Sequence, residues 1–188
     1  MGASNVETMA DRELVEIRAH AARADAFRTL ADRHLDSSYG LAHAILGHHA
    51  EAEDATHDAF ITAWRNWASL RDPALFDHWF DRILVNTCRN RLRQISRWRS
   101  QALAAEHPSF ARDAFGPINE RDLLWPAMQQ LAPDQRVVLA LRFYRDLSID
   151  QIAARLGIRP GTVKSRLHRA LRHLRLALDH ADPERTLR

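Results

Sequence analysis

Cysteine is nearly absent from this chain. Cys88 is the only one in 188 residues, which excludes an intrachain disulfide and a cysteine-rich zinc site. Lysine is as scarce: Lys164 stands alone among 27 basic residues, and the others are all arginine. Arginine's planar fork makes the bidentate phosphate and guanine contacts that a lysine point charge does not. With only six glycines and seven prolines, the chain offers no glycine-rich loop to cradle a phosphate. Strand-like alternation of β-branched residues is sparse, and there is no internal repeat. No apolar run is long enough to span a bilayer, and the N-terminus lacks a signal-peptide pattern. A cytoplasmic chain without membrane insertion is therefore expected. What is present, with 46% hydrophobic residues, is enough apolar material for one domain or two small ones. The periodicity throughout is helical.

The most informative absence is local. The chain carries 24 acidic residues, yet none falls between positions 151 and 178. Ser148 with Gln151 has the spacing of a capping box, and Leu147 with Ile152 falls at the staple positions. Ile152, Ala153 and Leu156 form an apolar stripe. Gly157 stops that helix in the left-handed conformation, and Pro160 suits the first position of the next. On the second helix, Val163, Leu167, Leu171, Leu174 and Leu178 recur at three- and four-residue spacing and are expected inside. Thr162, Lys164, Ser165, Arg166, His168, Arg169 and Arg172 are expected outside. A solvated basic hairpin would show the same stripe. Arginine, serine and threonine without any acid point instead to a helix-turn-helix whose second helix enters a major groove.

Earlier in the chain, residues 24–34 and 38–46 carry helical stripes, and Gly47 closes the second. Within residues 51–67, Ala52, Ala55, Ala59, Phe60, Ala63 and Trp67 form a buried stripe. Asp54, Asp58, Ile61 and Arg65 fall opposite. Pro73 breaks the pattern. A long helix then runs over residues 75–98, with Phe76, Phe80, Ile83, Leu84 and Thr87 toward a core. Its second half is basic through Arg82, Arg89, Arg91, Arg93, Arg97 and Arg99. Asn86 and Asn90 share a face and can hydrogen-bond exposed base edges. Trp79 is either core or a stacking platform for an unpaired base. Residues 100–119, with Pro108, Gly116 and Pro117, read as a linker. Leu123, Leu124, Ala127, Met128 and Leu131 form the next stripe. Pro133 starts a helix whose Val137, Val138, Leu141 and Tyr144 are expected inside.

Two stretches resemble bacterial sigma factors. L-A-P-D-Q-R-V-V-L-A-L-R-F, L-S-I-D-Q-I-A-A-R-L-G and G-T-V-K-S-R-L-H-R-A together closely resemble region 4 of the sigma-70 family, in its extracytoplasmic-function (ECF) type. A-E-D-A-T-H-D-A-F-I-T-A-W and F-D-H-W-F-D-R-I-L-V-N-T-C-R-N-R-L-R resemble region 2. The resemblance implies an all-α chain with a region 2 helical bundle (21–99), a flexible linker (100–119) and a region 4 helix-turn-helix (120–181), flanked by an N-terminal extension (1–20) and a tail (182–188). It implies promoter DNA and core RNA polymerase as partners, the latter through the clamp helices of its largest subunit and the flap of the second largest. An anti-sigma factor is a further candidate partner. Carried over by position, polymerase binding falls to Asp54, Asp58, Ile61, Trp64 and Arg65. Reading and melting of the −10 element falls to Arg71, Asp72, Leu75, Trp79, Asn86, Arg89, Asn90 and Arg93. The −35 element falls to Lys164, Ser165, His168 and Arg169, with Arg159, Thr162, Arg166 and Arg172 completing that surface. Two positions depart from the pattern. Asp81 stands where an aromatic or apolar residue is usual, and Arg159 where a small hydroxyl residue would cap the helix.

Rival classes leave less explained. Glu53 and His57 sit four apart, as a metal-ligand pair could, but a di-metal bundle needs inward carboxylates and repeated Glu-x-x-His motifs on several helices. No nucleophile triad is apparent. The expectation is a chain that is not an enzyme and uses no metal or cofactor. A helix-turn-helix regulator that binds duplex DNA without polymerase would share the C-terminal half, but would not need Trp64, Trp79, Asn86, Asn90 or the basic helix of the first half. A pure interaction protein, such as a degenerate sigma relative, would not need an intact G-T-V-K-S-R.

Overall fold

The computed structural model describes residues 3–104 and 120–181, and within them every regular element is a helix. The linker residues 105–119 and the tail 182–188 lie outside the described residues, as do the side chains of Arg99 and Leu123.

Helix α1 spans Ala3–Leu46 and merges the extension and the two stripes into one element. The sequence offered no proline between those stripes, and its one glycine there, Gly40, is tolerated inside the helix. Gly47 ends α1 with a positive φ of 67°, and its N–H donates to the His43 carbonyl. Helix α2 (His49–Arg65) buries only small residues: Ala52, Ala55, Thr56, Ala59 and Ala63. That stripe lets α2 lie close against α1 and α3 (Phe76–Ala104), and the volume is supplied by larger partners. Phe76, Phe80, Leu84, Leu41 and Ile45 are fully buried. Phe80 stacks between Phe60 and Phe76 at 4.4 and 5.3 Å. His34 Nδ1 meets Asp77 at 2.9 Å and ties α1 to the start of α3. Burial pushes the Cys88 thiol up to about 12, which keeps it a neutral core residue.

The second half comprises α4 (Glu120–Gln129), α5 (Pro133–Leu139), α6 (Ile149–Leu156) and α7 (Pro160–Ala181). Its core is Val137, Val138, Leu141, Ile152, Val163 and Ala170, with Leu131, Leu147, Leu167 and Leu174 around them. Helix α5 continues into a π-helical turn over Ala140–Tyr144, closed by Arg145 N–H on the Ala140 carbonyl. Asp146 follows at φ 49°, a left-handed position that aspartate tolerates. The wider turn corrects the expected placement of Tyr144. Tyr144 is 48% exposed, and its hydroxyl end rests on Gly40, where a Cβ would overlap it. Trp125 of α4 covers Gly47 in the same way. The two halves therefore pack together, with α5, the π turn and α6 against α1 and α3.

His43 lies half-buried beside the turn at Gly47. Burial first, then the charges of His49 and His48, hold its pKa below the usual histidine range. An unfolded chain binds that proton more readily, so the stability it contributes is complete above pH ~6.5 and declines as pH falls through the lowered folded value. Thermal unfolding across pH 5–8 should show this decline, and His43→Gln should make it shallower.

Candidate nucleic-acid interface

The helix-turn-helix is built as its sequence signals require. Ser148 Oγ accepts the Gln151 N–H at 3.2 Å, and the Ser148 N–H donates to Gln151 Oε1 at 2.8 Å. Leu147 and Ile152 are both buried. Gly157 turns the chain at φ 63°. Arg159 offers no side-chain cap, but its carbonyl accepts from the N–H groups of Thr162 and Val163, and Pro160 opens α7.

On α7, Val163, Leu167, Ala170 and Leu174 face the core. Leu171, expected inside, is 46% exposed. At about 100° per residue it lies well to the side of the line that those four share, and Ala170 takes the inner place. Lys164, Ser165, His168, Arg169 and Arg172 are exposed along one basic face, Arg159 is exposed before it, and Thr162 is half-buried. Arg169 donates to the Ser165 carbonyl at 3.2 Å and, from Nη2, to Ser165 Oγ at 3.4 Å. Ser165 Oγ in turn donates to the Thr162 carbonyl at 3.0 Å. The Arg169 guanidinium is thus held along the helix beside Ser165. Arg166 departs from its expected outward placement. It is half-buried, with Nη2 at 2.6 Å from Asp134 Oδ2.

In the first half, Asp54, Asp58 and Arg65 are exposed on α2 and Ile61 is half-buried. Arg91 of α3 reaches Asp58 at 2.7 Å, Glu51 at 2.9 Å and Asp54 at 3.3 Å. Burial by itself would lower the Arg91 pKa, but the hydrogen bonds it donates to Asp58 and Glu51, and their charges, raise it overall. Trp64 packs inward on Phe27 at 5.2 Å, with the Arg23 guanidinium 5.5 Å above its ring. Glu53 and His57, the alternative ligand pair, are exposed on α2. Among the described residues no group of three or more histidine, cysteine or acidic side chains is placed to hold a metal.

On the other side, Arg71, Asp72 and Leu75 are exposed in the loop before α3. Asp72 Oδ1 accepts the Ala74 N–H at 2.9 Å, so it shapes the short turn Pro73–Leu75. Trp79 is half-buried, 6.0 Å from Phe76 and 6.5 Å from Trp67. Asn86, Asn90 and Arg93 are exposed on α3, and Arg93 Nη1 donates to Asn90 Oδ1 at 3.3 Å. Arg89 turns away from that face, and its Nη2 meets Asp134 Oδ1 at 2.7 Å. Asp81, the departure in the sequence, is 3% exposed and faces the second half. Arg145 Nη2 holds its Oδ1 at 2.9 Å and Arg155 Nε holds its Oδ2 at 3.1 Å. Sequence reasoning flagged Asp81 but missed both of its partners. They lie 64 and 74 residues away, beyond any local pattern.

Residues 30–99 match the model of sigma-70 region 2 and residues 121–174 that of sigma-70 region 4. The chain is 36% identical over 137 residues to an RNA polymerase sigma-E factor of Streptomyces antibioticus, covering 70% of this chain and 73% of that one. It is 34% identical over 166 residues to the ECF sigma factor SigL of Mycobacterium tuberculosis, covering 85% and 93%. Among solved structures, the sigma factor RpoE of Bartonella quintana, in complex with the anti-sigma factor NepR, superposes with a TM-score of 0.63 at 25% identity, covering 81% of this chain and 96% of that one. Among the described residues no helix is long and apolar enough to cross a membrane. With both conserved regions matched in order, and relatives of this identity spanning most of its length, the chain belongs to the sigma-70 family of RNA polymerase sigma factors, in its ECF branch.

Proposed function

We propose that this chain binds core RNA polymerase and directs transcription from specific promoters, with α7 reading the −35 element and the loop and exposed face of α3 engaging the −10 element. The observation that carries this reading is the exposed basic face of α7, free of acid from Pro160 through Leu178, within a capped helix-turn-helix, joined in one chain to a region 2 bundle. In this reading Lys164, Ser165, His168 and Arg169 contact bases, and Thr162, Arg159 and Arg172 contact phosphates. Asn86, Asn90 and Arg93 meet the melted −10 strand, with Arg71, Asp72, Leu75 and Trp79 beside them. Arg166 and Arg89 join these surfaces once freed from Asp134. Asp54, Asp58, Ile61 and Arg65 form the polymerase face on α2. Trp64 supports that face from within, packed on Phe27. The chain is regulatory rather than catalytic and acts where polymerase acts, in the cytoplasm. The B. quintana relative in complex with an anti-sigma factor makes a protein of that class a candidate regulator here. Domain limits of 21–99 and 120–181 follow from the same reading.

Run-off transcription on genomic DNA tests it directly. Core polymerase with this chain should give discrete transcripts that core alone does not. A duplex-binding regulator would give none and would bind promoter DNA without polymerase. Asp58→Arg should lower co-purification with core at least several-fold. It should change folding stability by no more than about 1 kcal/mol, because the Asp58 side chain is exposed and Arg91 keeps Glu51 and Asp54 as partners. Wild-type recovery of core would remove α2 from the polymerase face.

The −35 assignment makes a sharper distinction. Arg169→Ala should change base preference by roughly 1–3 kcal/mol at one position. Arg172→Ala, nearer the C-terminus, should weaken all sequences alike and reduce the salt slope by about one. Binding of the polymerase–sigma complex to a set of single-base −35 variants across a salt series separates the two. Uniform loss for Arg169→Ala would leave that residue with an electrostatic role alone.

A further inference from the structure

One arginine of α3 is placed unlike its neighbours. Arg82, Arg93 and Arg97 are exposed, whereas Arg91 is half-buried and turned onto α2. Its Nη1 donates to Glu51 Oε2 at 2.9 Å and to Asp54 Oδ2 at 3.3 Å, and its Nη2 donates to Asp58 Oδ2 at 2.7 Å. We propose that Arg91 is a positioning residue for polymerase binding: its guanidinium fixes the Asp54 and Asp58 carboxylates in the orientation in which they receive cationic side chains of core polymerase. This proposal rests on the assignment of the α2 face to polymerase.

Exposure separates support from contact. The Arg91 side chain is 20% exposed, while those of Asp54 and Asp58 are 68% and 53% exposed. A partner arriving on α2 therefore meets the two aspartates rather than the guanidinium that holds them. Glu51 is the more enclosed acid, at 36%, and anchors the guanidinium from the far end of the stripe. Each aspartate spends one oxygen on Arg91. Oδ1 of Asp54 and Oδ1 of Asp58 have no partner among the described residues, and a carboxylate offers lone pairs to about four donors. The outer oxygens stay free to accept from a basic partner.

The chemistry calls for an arginine. Glu51, Asp54 and Asp58 are spaced three and four apart and share one face of α2, where like charges repel. Without a common partner each side chain rotates freely, and binding has to order it. Holding the carboxylates beforehand removes that ordering cost. A planar guanidinium presents separate N–H groups in a fixed fork and so reaches all three acids at once, whereas an ammonium is a point donor. The fork is itself well seated, because Cys88 and Leu92 beside it on α3 are buried. Three carboxylates share one cation, so the cluster stays net negative and still attracts a basic surface. Positioning and simple electrostatics then predict opposite signs. Loss of the cation makes the α2 face more negative, which by charge alone tightens binding to a basic partner. Loss of positioning weakens it.

The test is equilibrium titration of the full-length chain with core RNA polymerase, with circular dichroism as the check on folding. It compares wild type with Arg91→Met, Arg91→Lys, Asp58→Asn and the double variant Arg91→Met/Asp58→Asn. Arg91→Met keeps most of the aliphatic stem, so helicity should hold while affinity falls about tenfold, the cost of ordering two aspartates on binding. Arg91→Lys restores the charge but not the fork and should remain weaker than wild type. It also decides the matter should Arg91→Met fail to fold. In the Asp58→Asn background Arg91→Met should cost less than it does alone, because one of the carboxylates it positions is gone. Wild-type or tighter binding by Arg91→Met overturns the positioning role. Full recovery in Arg91→Lys reduces Arg91 to a charge balance and overturns it too, as do strictly additive losses in the double variant. Wild-type binding by Asp58→Asn is a different failure: it removes the α2 face from polymerase, and this inference with it.

Discussion

From Gln135 onward helix α5 has no solvent face, and the architecture follows from that constraint. From Gln135 through Leu141 every residue is buried. A helix enclosed on all sides has to be covered from more than one direction. Here α7 lies on one side, while α1 and α3 of the first half supply another. Its polar members must be satisfied locally. Gln135 Oε1 accepts the Ala132 N–H at 3.2 Å. Arg136 donates to the Leu131 carbonyl at 3.2 Å and to that of Gln129 at 2.7 Å, which closes the end of α4. The docking of the halves is thus part of how the second domain completes its own core.

The arginines divide according to the same logic. Those drawn into packed regions are matched to acceptors: Arg91 to three acids of α2, Arg145 and Arg155 to Asp81, Arg142 to the Leu147 carbonyl. Those on the outer faces of α7 and α3, such as Arg172 and Arg82, stay exposed, as does Arg159 just before α7. A single residue type therefore serves both as internal strut and as anion-seeking surface. Position alone decides which, and composition could not have separated the two.

What the sequence made legible was local and periodic. The Ser148–Gln151 box, the Gly157 turn, the alanine stripe of α2 and the aromatic and aliphatic core of α3 all rest on contacts within a few residues. Leu171 was misplaced because a four-residue spacing from Leu167 looks like a stripe until Ala170 is allowed to share it. The π turn has no composition signature, so Tyr144, expected inside, lies half outside. Arg166 and Arg89 were placed with their outward neighbours because Asp134 lies far from both in the chain. Asp81 is the instructive intermediate. An acid at an apolar position announced that something opposed it, but only the packed fold could name Arg145 and Arg155.

Gly40 carries a consequence of its own. It sits inside a long helix with no positive φ to justify it, and there glycine is worse than alanine by roughly 0.5–1 kcal/mol. What it provides is room for the Tyr144 hydroxyl, a contact that exists only while the halves are docked. An alanine at this position would therefore pull in two directions, firming the helix of the first domain while pressing its methyl group into the Tyr144 side chain of the second.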